Sequence, residues 1–198
     1  MDWTDRGIVL SARRHGESAV ILALMTETHG RHLGIVQGGA GKRARGLYEA
    51  GNLVSAVWRA RLEEHLGTFT CELVRAQAAP VLDDPLRLAG LSSLCAVVEA
   101  ALPEREAHPA LYARMSALIE ALDAPDWTER YVGFELALLS ELGFGLDPVV
   151  GEQLDDSAGP RRQTGLAESP GRHVAGFLEG LQGIIRGSEA RLSGGDHG

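Results

Sequence analysis

Cysteine is scarce: the 198 residues include two, Cys71 and Cys95. That excludes a disulfide scaffold and a four-cysteine zinc site, and it suits a reducing cytoplasm. No run of about 18 uncharged apolar residues occurs, so no membrane span is expected. The start, Met1-Asp2-Trp3-Thr4-Asp5, lacks the basic and then apolar segments of a signal peptide. Catalytic patterns are missing as well. His15, His29 and His32 share no metal-ligand spacing with a cysteine, and no Ser/His/Asp or Cys/His set can be drawn. Glu63-Glu64 and Asp83-Asp84 fall at element boundaries, where capping and solvation explain them. His29 falls in a turn, where a solvated side chain is expected. The reading is a non-enzyme with no metal and no cofactor.

Hydrophobic residues make up 44% of the chain and its net charge is −8. The first figure supports a folded core. The second argues against a polyanionic partner until the chain is divided. Residues 1–78 hold ten Arg/Lys against eight Asp/Glu, while residues 79–198 hold nine against nineteen. Between Arg31 and Arg61 stand six basic residues and one acid, Glu49. Charges beyond about 10 Å are screened at 0.1 M salt, so this local excess matters more to a polyanion than the total does.

Five stretches read as strands: Gly7–Arg14, Ala19–Thr26, Arg31–Gln37, Asn52–Ala60 and Leu66–Ala76. They are rich in β-branched and apolar residues and separated by turn formers. In the last, Phe69, Cys71 and Leu73 alternate against Thr68, Thr70 and Glu72. Five short strands in under 80 residues suggest a small closed barrel. The period then becomes helical. Asp84-Pro85 is an N-cap and first-turn pair, and Leu86, Ala89, Leu91, Leu94, Cys95 and Val98 follow at helical spacing. Pro109 opens a second helix over Leu111–Leu122. A third runs from Trp127 to Leu142, with Gly143 as its C-cap. Residues 143–198 contain thirteen glycines and read mostly as flexible chain.

The sharpest local feature is Gln37-Gly38-Gly39-Ala40-Gly41-Lys42-Arg43-Ala44-Arg45-Gly46. A phosphate-binding P-loop needs Gly where Val36 stands and Ser or Thr where Arg43 stands. A dinucleotide fingerprint fails at Ala44 and has no βαβ unit around it. What remains is a flexible basic loop, either a phosphate-neutralising surface or a plain solvated hairpin. Arg14 lies at a strand end, and Arg59 and Arg61 follow Trp58. Trp58 is a core residue or a stacking platform, and core is the expectation because single aromatics on strands usually pack. With only Trp3, Tyr48, Trp58 and Phe69 in residues 1–78, nucleic-acid binding would rest mostly on phosphate charge.

Gly7-Ile8-Val9-Leu10, His15-Gly16-Glu17-Ser18, Thr26–Arg31, Gly38–Gly46 and Leu66-Gly67-Thr68 together resemble the N-terminal domain of the RecO family of bacterial recombination mediators. The stretch Tyr131–Gly145 is similar to that family's helical domain. The resemblance covers roughly residues 5–147. It implies an α+β chain: an OB-fold barrel at 1–78, a helical domain at 79–147, and here a divergent Gly-rich tail at 148–198. It implies a cytoplasmic, nucleoid-associated DNA-binding protein of RecF-pathway repair. Such a protein binds single- and double-stranded DNA, anneals complementary strands and helps load RecA on SSB-coated DNA. RecR and the acidic C-terminal tail of SSB are the implied partners, with RecA engaged indirectly. Arg31, Lys42, Arg43 and Arg45 match the family's basic positions. Arg14, Arg59 and Arg61 join them on charge and placement. After Asp147 the chain departs from the family pattern: no cysteine follows Cys95, which leaves no family zinc segment. Divergence or a shifted reading frame would each give such an end. Two rivals stand beside this reading. One is an OB-fold interaction module that captures an acidic peptide. The other is an RNA- or small-molecule-modifying enzyme with an accessory barrel, though the apolar helical stripes offer it no polar inner face.

Overall fold

The computed structural model describes residues 1–62 and 64–144. The side chains of Lys42 and Arg43, and the expected tail at 148–198, lie outside the described residues. Five strands, β1 (Asp2–His15), β2 (Ala19–Thr26), β3 (Gly30–Val36), β4 (Leu53–Arg59) and β5 (Thr68–Arg75), close into a barrel in the order β1-β2-β3-β5-β4. The fold is therefore α+β with an OB-type barrel in front. β1 is long enough to serve twice: Asp2–Ile8 pair with β4, and Gly7–His15 pair with β2. A register shift between Val9 and Ser11 bends it from one partner to the other. Closure on the far side is a single parallel pair, Ile35 with Thr68, backed by the Ile35 N–H donating to the Gly67 carbonyl at 3.0 Å.

Alternation explains the interior. Val20, Leu22 and Leu24 of β2 point in with Val9, Val54, Ala56, Trp58 and Phe69. Ala23 and Met25 point the other way and are also buried, so β2 is apolar on both faces, as its sequence suggests. Trp58 is 1% exposed, which settles it as core. Its indole N–H donates to the Leu66 carbonyl at 3.1 Å. Gly67, just before β5, has φ +66°, and a Cβ there would stand 2.5 Å from the indole. Only glycine tolerates both conditions. Leu73 departs from the alternation: it is 45% exposed beyond the barrel core.

The stretch 38–46, expected to be an open loop, is partly helical. Lys42–Leu47 forms α1, six residues between β3 and β4. Ala, Lys, Arg and Leu are good helix formers, and Ala44, Leu47 and Tyr48 pack on the barrel core. Asn52, 2% exposed, ties the end of α1 down. Its amide donates to the Gly46 carbonyl at 2.8 Å and its oxygen accepts from the Ala78 N–H at 3.3 Å.

After a turn at Ala79–Val81, α2 (Pro85–Ala101) begins as its sequence says it should: the Asp84 carboxylate accepts from the Leu86 and Arg87 N–H groups. Leu91, Leu94, Cys95 and Val98 are buried, whereas Leu86 is 67% exposed because it sits in the first turn. α2 packs on β1 and β2, and the Cys95 thiol donates to the Val9 carbonyl. α3 (Pro109–Glu120) buries Leu111, Tyr112, Met115, Leu118 and Ile119. Residues 1–135 form one compact unit that includes the barrel, α2 and α3. α4 spans Trp127–Glu141 and ends on Gly143 at φ +83°. No described helix is long and apolar enough to cross a membrane.

Candidate nucleic-acid interface

The sheet register shows where the cations fall. Arg14 pairs with Val20, and Val20 with Val36. One residue back on β3, Ile35 pairs with Thr68, and Thr68 with Arg59. Arg14 and Arg59 therefore lie on adjacent rows of the ladder, four strand steps apart and on opposite faces of the sheet: Arg14 shares the inward side of Val20 and Val36 at the barrel's end, and Arg59 the outward side of Ile35 and Thr68. At about 4.8 Å per step that is roughly 19 Å along the sheet. In sequence they are 45 residues apart. The long β1 makes this possible, because its start pairs with β4 near Arg59 and its end carries Arg14.

The β1–β2 and β4–β5 loops near these two arginines belong to the surface on which OB folds bind oligonucleotides. On one side the β1–β2 turn meets the Gly-rich segment, where the Ala40 N–H donates to the Ser18 carbonyl at 3.0 Å. Arg14 donates to the Glu17 carbonyl at 3.3 Å. Arg14, Arg45, Gly39, Tyr48 and Glu49 line one groove there. Burial pushes the Tyr48 hydroxyl up to about 12, with the nearby Cys71 adding to it, so Tyr48 stays neutral beside the arginines. Lys42 and Arg43 open α1 at this same end. On the other side Arg59, Arg61, His65 and Thr68 line a second groove. Between the two, Ile21 and Ile35 are half-buried on the outer face.

Arg31 sits elsewhere. Its Nε donates to the Leu102 carbonyl at 2.7 Å and its Nη2 lies 3.6 Å from the Glu104 carboxylate, with 15% of the side chain exposed. It ties β3 to the connection between α2 and α3, which withdraws most of its side chain from the surface. Among the described residues Arg14, Arg45, Arg59 and Arg61 form no ion pair, whereas Arg13 pairs with Glu99 at 2.7 Å and Arg75 with Glu120 at 2.6 Å. These four keep their charge open, whereas Arg13, Arg31 and Arg75 are met by carboxylates.

The expected solvated His29 is not what the structure shows. Its Nδ1 is 2.9 Å from the Asp5 carboxylate, and its ring stacks on Trp3 at 4.2 Å. Burial pushes the Asp5 carboxyl up, but bonds from the His29 ring, the Thr28 N–H and hydroxyl and the Arg6 N–H outweigh it and leave the carboxyl below its usual range. His32 is buried beside them, and desolvation together with the Arg105 charge lowers it to about 4. Sequence reading passes over Trp3 because the first strand is drawn from Gly7. Trp3 and Asp5 do alternate in Asp2–Arg6, but three charges within five residues hide a strand start. Cys71 and Cys95 are free thiols pushed up to about 12 by burial. No group of three or more His, Cys, Asp or Glu side chains able to hold a metal occurs among the described residues.

Known proteins were compared with the chain. The family models "Recombination protein O N terminal" and "Recombination protein O C terminal" match residues 1–77 and 82–160. The DNA repair protein RecO of Rhodospirillum centenum is 49% identical over 93% of this chain and 83% of its own length. That of a Jannaschia species is 44% identical over 98% and 83%, and that of Cereibacter sphaeroides is 45% identical over 86% and 72%. The alignment with the Jannaschia protein runs past Asp147.

Proposed function

The chain belongs to the RecO family of DNA repair proteins, and from that premise we propose that it is a non-catalytic DNA-binding mediator whose barrel carries the strand. Its role is in DNA repair and recombination. The proposed contacts are Arg14, Lys42, Arg43 and Arg45 at one loop end and Arg59 and Arg61 at the other. Arg31 supports the scaffold. The observation that carries this reading is a set of arginines without an ion pair among the described residues, Arg14 and Arg45 in the groove by the β1–β2 turn and Arg59 and Arg61 in the groove by the β4–β5 loop. Such cations neutralise phosphates without reading bases. Two strands, each partly neutralised, can then approach and pair without ATP, which supports strand annealing. Handing DNA to RecA on SSB-coated strands, with RecR and the acidic SSB tail as partners, extends the same reading.

The test is a salt titration of a labelled single-stranded oligonucleotide against the full chain. Each neutralised phosphate contributes about −0.7 to the slope of log affinity against log salt on single strands. Six cations are expected to give a slope near −4. Unchanged affinity at low salt after replacing Lys42, Arg43 and Arg45 together by alanine would remove the α1 end from the interface. If an acidic peptide binds the barrel and the oligonucleotide does not, the chain is a peptide-capture module instead.

A further inference from the structure

Beside these cations lies a pocket that phosphate binding does not use. Trp3 and His29 stack with their planes 8° from parallel, and Trp58 stacks on Trp3 at 5.6 Å. His32 meets Trp3 and Trp58 edge-on at 5.0 and 4.8 Å. With Thr28 and Arg105 these rings line an open pocket of ≈ 560 Å³, within the size range of small-ligand clefts. Residues 3, 29, 32 and 58 meet here because β1 pairs with β4 at Trp3 and Trp58, and because the turn before β3 folds back to Asp5 through Thr28 and His29.

The floor of the pocket has hydrogen-bonding capacity that nothing uses. His32 is 4% exposed, and neither ring nitrogen has a hydrogen-bond partner. The His29 carbonyl lies close enough to favour its proton but makes no hydrogen bond by distance and angle. The Nε of Arg105 is likewise buried and unpartnered, while its Nη2 donates to the His65 carbonyl at 2.9 Å. Arg105 is also the one non-glycine among the described residues with positive φ, at 64°. Its N–H donates to the Arg31 carbonyl at 2.8 Å, and Gly30 leaves room for the segment: a Cβ there would clash with the Glu106 carbonyl. Buried polar atoms without partners are rare in folded proteins, and a side chain held in a disfavoured backbone conformation points to a ligand clamp. Flat aromatic walls, a cation and a histidine that can donate and accept together suit one kind of guest, a planar base joined to an anion.

The geometry points to a nucleotide subsite for single-stranded DNA in this pocket, with one base against the Trp3–His29 stack and its phosphate at Arg105. The inference rests on the DNA-binding reading above and extends it. A base has to be out of the duplex to enter, so the subsite distinguishes single strands from double strands, which the cations alone cannot do. It also lies against the β4–β5 loop. Arg105 holds the loop at His65, and Trp58 holds the same loop at Leu66, and Arg61 stands at the loop's start.

The experiment compares a thymidine oligonucleotide with one of equal length and charge whose central positions are abasic, both titrated against the full chain. The intact chain is expected to bind the thymidine strand about tenfold tighter, as stacking of one base on aromatic rings provides. Tryptophan emission is expected to be quenched by the thymidine strand and not by the abasic one. His29→Ala, at a ring 36% exposed, is expected to abolish the difference. Arg105→Asn, which keeps a residue tolerant of positive φ, is expected to weaken both strands and reduce the salt slope by about 0.7. Equal affinity and equal quenching for the two strands in the intact chain overturn the subsite and leave DNA binding standing. An equal loss on both strands in His29→Ala does the same. If neither strand binds, both readings fall.

Discussion

Arg13 and Arg14 are neighbours on β1, yet they belong to two different electrostatic regions. Arg13 reaches Glu99 on α2 at 2.7 Å, whereas Arg14 finds only a backbone carbonyl at the β1–β2 turn. The same division runs through the barrel. Arg31 and Arg75, like Arg13, face the helical half and are held by Glu104 and Glu120. Among the described residues Arg14, Arg45, Arg59 and Arg61 form no ion pair, although Glu49 and Asp2 line the two grooves in which they stand. The acidic residues after position 78 thus act locally: they neutralise the cations that hold the barrel to its helices and leave the others to an outside polyanion. A total charge of −8 conceals this arrangement.

The contrast can be broken or sharpened by experiment, and the strongest blow is to what both regions share. Trp58→Ala removes the largest buried side chain of the barrel and is expected to cost about 3–5 kcal/mol, read from the urea midpoint. DNA binding should fail with the fold. Next comes pH. The folded pKa of His32 is lowered to about 4, below the unfolded value near 6.5, so its contribution is full above pH 6.5 and is lost as pH falls toward 4. A loss on the order of 3 kcal/mol is expected across that window by linkage, and His32→Phe should flatten it. Asp5, whose folded pKa is also lowered, adds a loss at still lower pH.

Smaller effects separate the two sets of arginines. Arg14→Ala with Arg59→Ala and Arg61→Ala is expected to flatten the salt slope by about 2 and leave the urea midpoint nearly unchanged. Arg31→Ala reverses that pattern: it costs about 1–3 kcal/mol of stability, because a charge-assisted bond to a carbonyl is lost, and it leaves the salt slope alone. Arg75→Ala, an exposed pair, should cost about 0–1 kcal/mol. If Arg31→Ala lowered the slope as much as Arg59→Ala does, the division between the two sets would fail.

Much of the architecture was written locally. The Asp84-Pro85 cap, the helical stripe from Leu111 to Leu122 and the two-sided apolar β2 are signals that hydrogen bonding and side-chain period impose within a few residues. Where the local signal is weak or contradictory, strand pairing and packing decide. Asp2–Arg6 is a strand despite its charges, because β4 supplies the pairing. Lys42–Leu47 is a helix among glycines because its apolar side covers the barrel. The candidate interface was half legible: clustering of arginines along the chain marks the segments that carry the proposed contacts, but it does not separate Arg31, held at the Leu102 carbonyl and Glu104, from Arg14.

By itself, then, the sequence determined a five-stranded barrel followed by helices, with positive charge gathered in the first 78 residues. These follow from period, turn chemistry and composition, which act over short spans of chain. The tertiary structure alone decided which arginines meet a carboxylate and which stay open. It also decided that Trp3, His29, His32 and Arg105 share one pocket. Both depend on which residues strand register and helix docking bring within a few ångströms, and separation along the chain carries no record of that distance.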